Sequence, residues 1–173
     1  VQKGRIKLFK QSVSGEDFIV TIAYRGVPLN ISALFEGEAY FLSAQAIDNS
    51  VVLCVKREVF ISFIEKYPNV ALRLMCILSK ILNSTYNRIA DMAKETVHQR
   101  ICNTLLMLAS KFGNNLSIKR GELADMAGTT SETTTRVLSS LKKQGILSSR
   151  WGQITILDSN QLRNLSRRSY IDH

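Results

Sequence analysis

The chain lacks most of what would make it an enzyme, a membrane protein or a disulfide-stapled module. Its three cysteines, Cys54, Cys76 and Cys102, form an odd, scattered set with no CxxC and no histidine at zinc spacing. Each lies in an apolar stretch, where a reduced and buried thiol is expected. That points to a reducing compartment, the cytoplasm. No apolar run approaches the roughly 20 residues that cross a bilayer, and no signal-peptide pattern opens the chain. Serine and threonine abound without a Ser/His/Asp grouping, a phosphate-binding glycine loop or metal-ligand spacing, so neither an enzyme nor a metal site is expected. Internal repeats and low-complexity tracts are missing too. So is an initial methionine: Val1 opens inside what reads as a hairpin, and a preceding segment is expected.

What is present is ordinary globular composition with an uneven charge. The 173 residues are 45% hydrophobic and 21% charged, with a net charge of +9. Residues 1–92 carry 11 basic and 8 acidic side chains, and residues 93–173 carry 12 and 6. The C-terminal half is therefore the more basic, as a phosphate-binding surface requires.

The first 55 residues read as β structure. Arg5-Ile6-Lys7-Leu8-Phe9 alternates polar and apolar, Ser14-Gly15 marks a turn, and Phe18 to Tyr24 is rich in strand formers. Val51 to Val55 reads as a short buried strand. Short strands with closely spaced turns predict a roll or barrel rather than a βαβ fold. Val59, Phe60, Phe63, Ile64 and Tyr67 then fall at helical spacing, with Pro68 closing that helix.

A long helix without Gly or Pro is expected from Asn69 to Met92. Ala71, Met75, Leu78, Leu82, Thr85, Ile89 and Met92 recur at alternating spacings of four and three, the seam of a two-stranded coiled coil. A second stripe, Leu74, Ile77 and Ile81, would pack on the β region. One stripe would suit an ordinary core helix; two adjacent stripes suit a helix held between its own domain and a second copy. Thr96-Val97-His98-Gln99 looks like a capping box that starts a helix from Val97 to Phe112, with Lys94-Glu95 as a hinge before it.

Residues 118–145, IKRGELADMAGTTSETTTRVLSSLKKQG, hold the clearest functional pattern. A short helix carrying Leu123 and Ala124 is followed by a corner at Gly128. A second helix follows, with an apolar stripe of Val137, Leu138 and Leu141. This predicts a helix-turn-helix, whose second helix can enter the DNA major groove. Lys142, Lys143 and Gly145 mark its end. Strands on either side of Trp151-Gly152 predict a β-wing, and Asp158 can cap a last helix through Leu165.

These residues resemble the cyclic-AMP receptor protein/FNR (Crp/Fnr) superfamily of bacterial transcription regulators. The resemblance runs through FIEKYPNVALRLM, the long helix, HQRICNTLLMLA, the helix-turn-helix and the ITILD ending. Its most specific part is GTTSETTTRVLSSLKKQGIL, similar to the family's Gly, short turn and S/R-E-T-x-x-R-x-L. The resemblance implies an α+β chain. Residues 1–68 would form an N-terminally truncated, cyclic-nucleotide-binding-like β-roll (a double-stranded β-helix or jelly roll). Residues 69–92 would form the dimerisation helix, and 93–173 a winged helix-turn-helix domain with its motif at 119–144.

In that family the Glu and Arg of the pattern contact base edges, which here means Glu132 and Arg136. Chemistry agrees: they lie one turn apart, Arg can grip guanine O6/N7 in a bidentate way, and Glu can accept from cytosine N4. The competing expectation is a surface ion pair worth about 0.2–0.5 kcal/mol. Ser131 stands where the cAMP-responsive branch carries Arg, and Thr135, a turn on, is the other candidate reader. Thr130 would cap the helix. Candidate phosphate contacts are Lys119, Arg120, Thr130, Thr133, Lys142, Lys143 and Arg150.

The cAMP-binding branch holds its ligand with a Gly-Glu pair and an Arg-Ser pair; here those places read Asn30-Ile31 and Tyr40-Phe41. Without the Arg, a buried cyclic phosphate has no charge partner, so cAMP is not the expected effector. Ile31, Tyr40, Phe41, Thr85 and Tyr86 could line a pocket for another effector, or Ile31, Tyr40 and Phe41 could be core packing, the preferred expectation. Neither His98 nor His173 looks like a haem ligand. The expected partners are double-stranded DNA, a second copy of the chain, an unidentified effector and, through surfaces other than the short Gly113-Asn114-Asn115 loop, RNA polymerase. The alternative is a cyclic-nucleotide-binding-like module acting through a protein partner.

Overall fold

The computed structural model describes residues 1–166 except 14, 16, 30 and 38. The expectations placed on Ser14, Asn30 and His173 lie outside the described residues. The chain divides into two compact units, Val1–Asn87 and Arg88–His173.

In the first unit, β1 (Ile6–Gln11), β2 (Asp17–Ala23) and β3 (Ser43–Ala46) form an antiparallel sheet of order β2-β1-β3. The alternation read from the sequence sends Ile6 and Leu8 inward, on the face they share with the buried Ala23 of β2. The register shift opposite Leu8 and Phe9 skips Val20, which marks a bulge in β2. Lys7 pairs with Asp17 at 2.8 Å across the sheet. The turn after β3 is pinned by Asp48, whose carboxylate accepts from the backbone N–H and the Nε of Arg5, each at 2.7 Å. The Arg5 side-chain hydrogen bond holds the Asp48 carboxyl below its usual range.

Two expectations for this unit fail. Val51 makes only an isolated bridge to Lys3, and Val51 to Val55 are exposed rather than a buried strand. The stretch has the composition of a central strand, but no strand among the described residues flanks it beyond that bridge. Cys54 is exposed with it, and Cys76 is exposed on the long helix, so of the three thiols only Cys102 is buried. Pro68 closes α2 (Arg57–Lys66) as expected, with Tyr67 before it out of the helical region. It also opens α3 (Pro68–Lys94), because a first-turn helical residue needs no N–H partner and suits the fixed φ of proline. A short helix, α1 (Ile31–Glu36), also stands where no helix was expected.

Helix α3 is 27 residues long and continues past the division between the units. Along its heptad positions Met75, Leu78, Leu82, Thr85, Ile89 and Met92 are exposed, and Ala71 is half-buried. Of the second stripe, Leu74 and Ile77 are half-buried and Ile81 is exposed.

The second unit is built on α4 (Val97–Phe112), which starts at the expected capping box. Thr96 Oγ1 accepts from the Gln99 N–H at 3.3 Å, and Gln99 Oε1 accepts from the Thr96 N–H at 2.9 Å. Ile101, Leu105 and Leu108 are buried along one face. Against α4 pack α5 (Arg120–Ala127), α6 (Ser131–Lys143) and α7 (Ser159–Leu165). A small antiparallel sheet of order β4-β6-β5 completes the unit, from β4 (Asn115–Ser117), β5 (Leu147–Arg150) and β6 (Gln153–Ile156). Strand β4 was not anticipated; three residues after a helix end carry too little pattern to stand out.

Candidate nucleic-acid interface

Helix α5 starts with Glu122 accepting from the Lys119 backbone N–H at 2.9 Å, and it buries Leu123, Ala124, Met126 and Ala127. It stops at Gly128, which adopts a left-handed conformation (φ 61°, ψ 52°) that side chains resist. Two residues later Thr130 caps α6, its Oγ1 accepting from the Thr133 N–H at 3.2 Å. Thr134, Leu138 and Leu141, at spacings of four and three, form the buried face of α6. Ser131, Glu132 and Arg136 are thereby exposed on its other side.

Glu132 and Arg136 are not joined by an ion pair among the described residues. Arg136 Nη2 instead makes a long contact, 3.4 Å, to Thr133 Oγ1. The surface ion pair weighed as the competing expectation is therefore not formed, and both charged ends are available to a ligand. Thr135 is half-buried and its hydroxyl donates to the Ser131 carbonyl at 2.8 Å, so towards a ligand it can act only as an acceptor. Thr133 is half-buried beside Thr130, with 3.1 Å between their hydroxyls.

The end of α6 carries the exposed Lys142 and Lys143. There the Gly145 N–H bonds the Lys142 carbonyl and the Ile146 N–H bonds the Leu141 carbonyl, a paired closure that directs the chain straight into β5. The Ile146 carbonyl in turn accepts from the N–H groups of Leu157 and Asp158 beyond β6. The wing turn presents Arg150 and a fully exposed Trp151.

Lys119, Arg120 and Arg150 line one open recess of about 300 Å³, with Ile118, Leu138 and Ile154 among its apolar residues. The Ile118 N–H donates to the Gly152 carbonyl at 3.0 Å, holding the wing turn beside the start of α5. A Cβ on Gly121 would lie 3.6 Å from Ser131 Oγ, so the beginnings of α5 and α6 touch. Three of the expected phosphate contacts are thus grouped near the start of α6. Lys142 and Lys143 lie at its far end, roughly 18 Å along a helix of this length. Trp151, read from the sequence only as part of a turn, stands at this surface as well.

The expected effector positions do not share one environment. Ile31 is buried at the start of α1, while Tyr40 and Phe41 are 75% and 70% exposed. The preferred expectation of core packing therefore holds for Ile31 and is wrong for the two aromatics. The Phe41 ring lies under the Lys10 ammonium at 3.5 Å, a surface contact that the sequence pattern could not reveal. Thr85 and Tyr86 are exposed on α3, with the Thr85 hydroxyl donating to the Ile81 carbonyl. Among the described residues no group of three or more His, Cys, Asp or Glu could hold a metal, and no helix is long and apolar enough to cross a membrane.

A capped helix with an outward acid and guanidinium, packed on a second helix and flanked by a basic wing, defines a winged helix-turn-helix DNA-binding protein. Residues 99–165 match the Crp-like helix-turn-helix domain family, and residues 1–67 match the cyclic nucleotide-binding domain family. The cyclic AMP receptor protein of Thermus thermophilus is 27% identical over 96% of this chain and 77% of its own. The transcriptional activator protein anr of Pseudomonas aeruginosa is 25% identical over 94% and 69%. FixK2 from Bradyrhizobium japonicum superposes with a TM-score of 0.87 at 25% identity, covering 98% of this chain and 87% of that one. With a Crp-like helix-turn-helix domain following a cyclic nucleotide-binding domain, the chain has the make-up of a Crp/Fnr-type DNA-binding transcription regulator.

Proposed function

We propose that the chain acts as a homodimer, paired along α3, that reads a pseudo-palindromic operator with one α6 in each of two successive major grooves. Ser131, Glu132, Thr135 and Arg136 face the base edges. Lys119, Arg120, Thr130, Thr133, Lys142, Lys143 and Arg150 meet phosphates on either side. The observation that carries this is the exposure of Glu132 and Arg136, unpaired with each other, on the outward face of a helix whose inward face is fully buried. Pairing through α3 is supported by Met75, Leu78, Leu82, Ile89 and Met92, large apolar side chains exposed at heptad spacing. The proposed division of labour is 1–68 for sensing, 69–92 for pairing and 93–173 for DNA. The protein works by binding rather than turnover, in the cytoplasm.

The effector is a molecule other than cAMP. Tyr40 and Phe41 stand where the cAMP-binding branch carries its phosphate-holding Arg-Ser pair, and neither offers a positive charge. RNA polymerase is the proposed downstream partner, reached through a surface other than the Gly113–Asn115 turn. Binding to a labelled mixed-sequence duplex at two salt concentrations tests the DNA interface. Affinity should fall with a log–log slope of about −0.9 for each phosphate neutralised. Binding that ignores salt, or a monomer by sedimentation at micromolar concentration, refutes the proposal.

A further inference from the structure

Three consecutive backbone carbonyls at the end of α5 are held by two guanidinium groups from outside the helix-turn-helix. Arg88, in the last turns of α3, donates from Nη2 to the Met126 carbonyl at 2.8 Å. Arg100, on α4, donates from Nε to the Ala127 carbonyl at 3.0 Å and from Nη2 to the Gly128 carbonyl at 3.2 Å. The Nη1 of Arg100 reaches the Glu95 carbonyl at 3.0 Å, and the Glu95 carboxylate accepts from Asn103 Nδ2 at 2.6 Å. Asp91 and Glu95 are both buried. Burial pulls the Arg88 guanidinium below its ordinary value, and Asp91 opposes that shift.

A helix ends with carbonyls that lack internal partners and carry partial negative charge, so a cation there is favourable. At most helix ends solvent would suffice. Here the carbonyls belong to the residues leading into the Gly128 corner, and α6 begins three residues after it. The direction in which those carbonyls are drawn therefore fixes how α6 leaves α5. Both guanidiniums are half-buried and spent on carbonyls rather than turned outward as α6's own charged side chains are.

We propose that Arg88 and Arg100 are positioning residues for DNA recognition, a two-guanidinium clamp that aims α6 by fixing the end of α5 to α3 and α4. This rests on the DNA-reading role of α6. Because Arg88 belongs to the second unit, the last turns of α3 are part of the aiming device, whereas the sequence pointed to a hinge beyond Arg88, at Lys94-Glu95.

The clamp makes an asymmetric demand. One ammonium can replace the Arg88 bond to the Met126 carbonyl, but it cannot reproduce the three-carbonyl fork of Arg100. The test uses full-length Arg88→Met, Arg100→Met, Arg88→Lys and Arg100→Lys. Each is titrated with a duplex selected from a random pool by the wild-type protein and with a scrambled duplex of equal length. The Met variants keep the aliphatic stems. They should bind the scrambled duplex within about twofold of wild type and lose about tenfold on the selected one, since misaim removes base contacts before phosphate contacts. Arg88→Lys should recover most of the discrimination and Arg100→Lys should not. A merely structural role would lower the melting temperature while leaving the ratio of the two affinities unchanged, and that result overturns the proposal. So does an equal loss on both duplexes, or wild-type discrimination in Arg100→Lys. If a Met variant fails to fold, the Lys pair decides: equal discrimination by both refutes the clamp. If the wild-type protein selects no duplex at all, the DNA-reading role fails instead.

Discussion

Replacing Thr134 by Val should stabilise the second unit without touching DNA recognition. Thr134 is fully buried under α6, and its Oγ1 has no hydrogen-bond partner. A hydroxyl stripped of water and left unpaired costs about 1–3 kcal/mol in proteins. Val keeps the β-branch and nearly the same helix propensity. It also adds a buried methyl in place of the hydroxyl, worth about 0.8 kcal/mol at full burial. Allowing for imperfect fit of that methyl, the net gain should be about 1–2 kcal/mol. Thr134→Ser is the matched control: it retains the orphan hydroxyl and deletes a packed methyl, so it should lose about 1 kcal/mol. Because two units need not unfold together, hydrogen exchange at the Leu138 and Leu141 amides is the suitable assay, reporting α6 itself. Slower exchange in the Val variant, faster in the Ser variant and unchanged duplex affinity in both are expected. If Val speeds exchange, the hydroxyl has a partner, such as a buried water, and the account of this face of α6 is wrong.

Arg136→Ala should leave thermal stability within about 0.5 kcal/mol, since the side chain is exposed, and should weaken DNA binding by about 1–3 kcal/mol at a single base position. Titrating duplexes that vary one base at a time checks this, and the same loss on every sequence would rule out base reading. Gly4→Ala should destabilise the first unit by about 1–3 kcal/mol. Its Cβ would come within 2.7 Å of the Asn49 carbonyl oxygen and the Ser50 Cα, at a φ of +82°; an unchanged melting curve would contradict the close approach seen there. At pH 8 an aromatic disulfide reagent should modify Cys54 and Cys76 quickly and Cys102 only on unfolding; rapid titration of all three thiols would refute the burial. Burial, with help from Glu95, pushes the Cys102 thiol up from 9.0 to about 12. The folded chain then keeps a proton that the unfolded chain releases, so stability should fall as pH rises through that window. Cys102→Ala should flatten the decline, and an equal alkaline slope in both proteins would exclude the thiol as its source.

Local chemistry was legible in the sequence; tertiary placement was not. The Thr96 box, the Gly128 corner, the Thr130 cap and the Asp158 cap each depend on residues within a few positions of one another, and all formed as expected. The buried stripe of α4 followed from helical period, as did Leu138 and Leu141 of α6; the third buried member of α6 is the polar Thr134, while the expected Val137 is half-buried. Val51 to Val55, Cys54, Cys76, Tyr40 and Phe41 went wrong together. Their composition reports how readily they would be buried, not whether another element arrives to bury them. The guanidinium clamp was invisible for a related reason: Arg88 and Met126 are 38 positions apart, and no short pattern encodes that meeting.

Ile146 gives the winged half an unforeseen stiffness. Its amide hydrogen is committed to the end of one helix and its oxygen to the residues that follow the strand returning from the wing, so a single residue serves as the common hub of both. The distance from the tip bearing Arg150 to the side chains of α6 is then a built-in ruler rather than an adjustable reach. Lengthening or trimming the Trp151-Gly152 turn would alter how far the arm extends while leaving the orientation of the neighbouring rod intact, which makes that turn a natural place for relatives to differ in how much duplex they span.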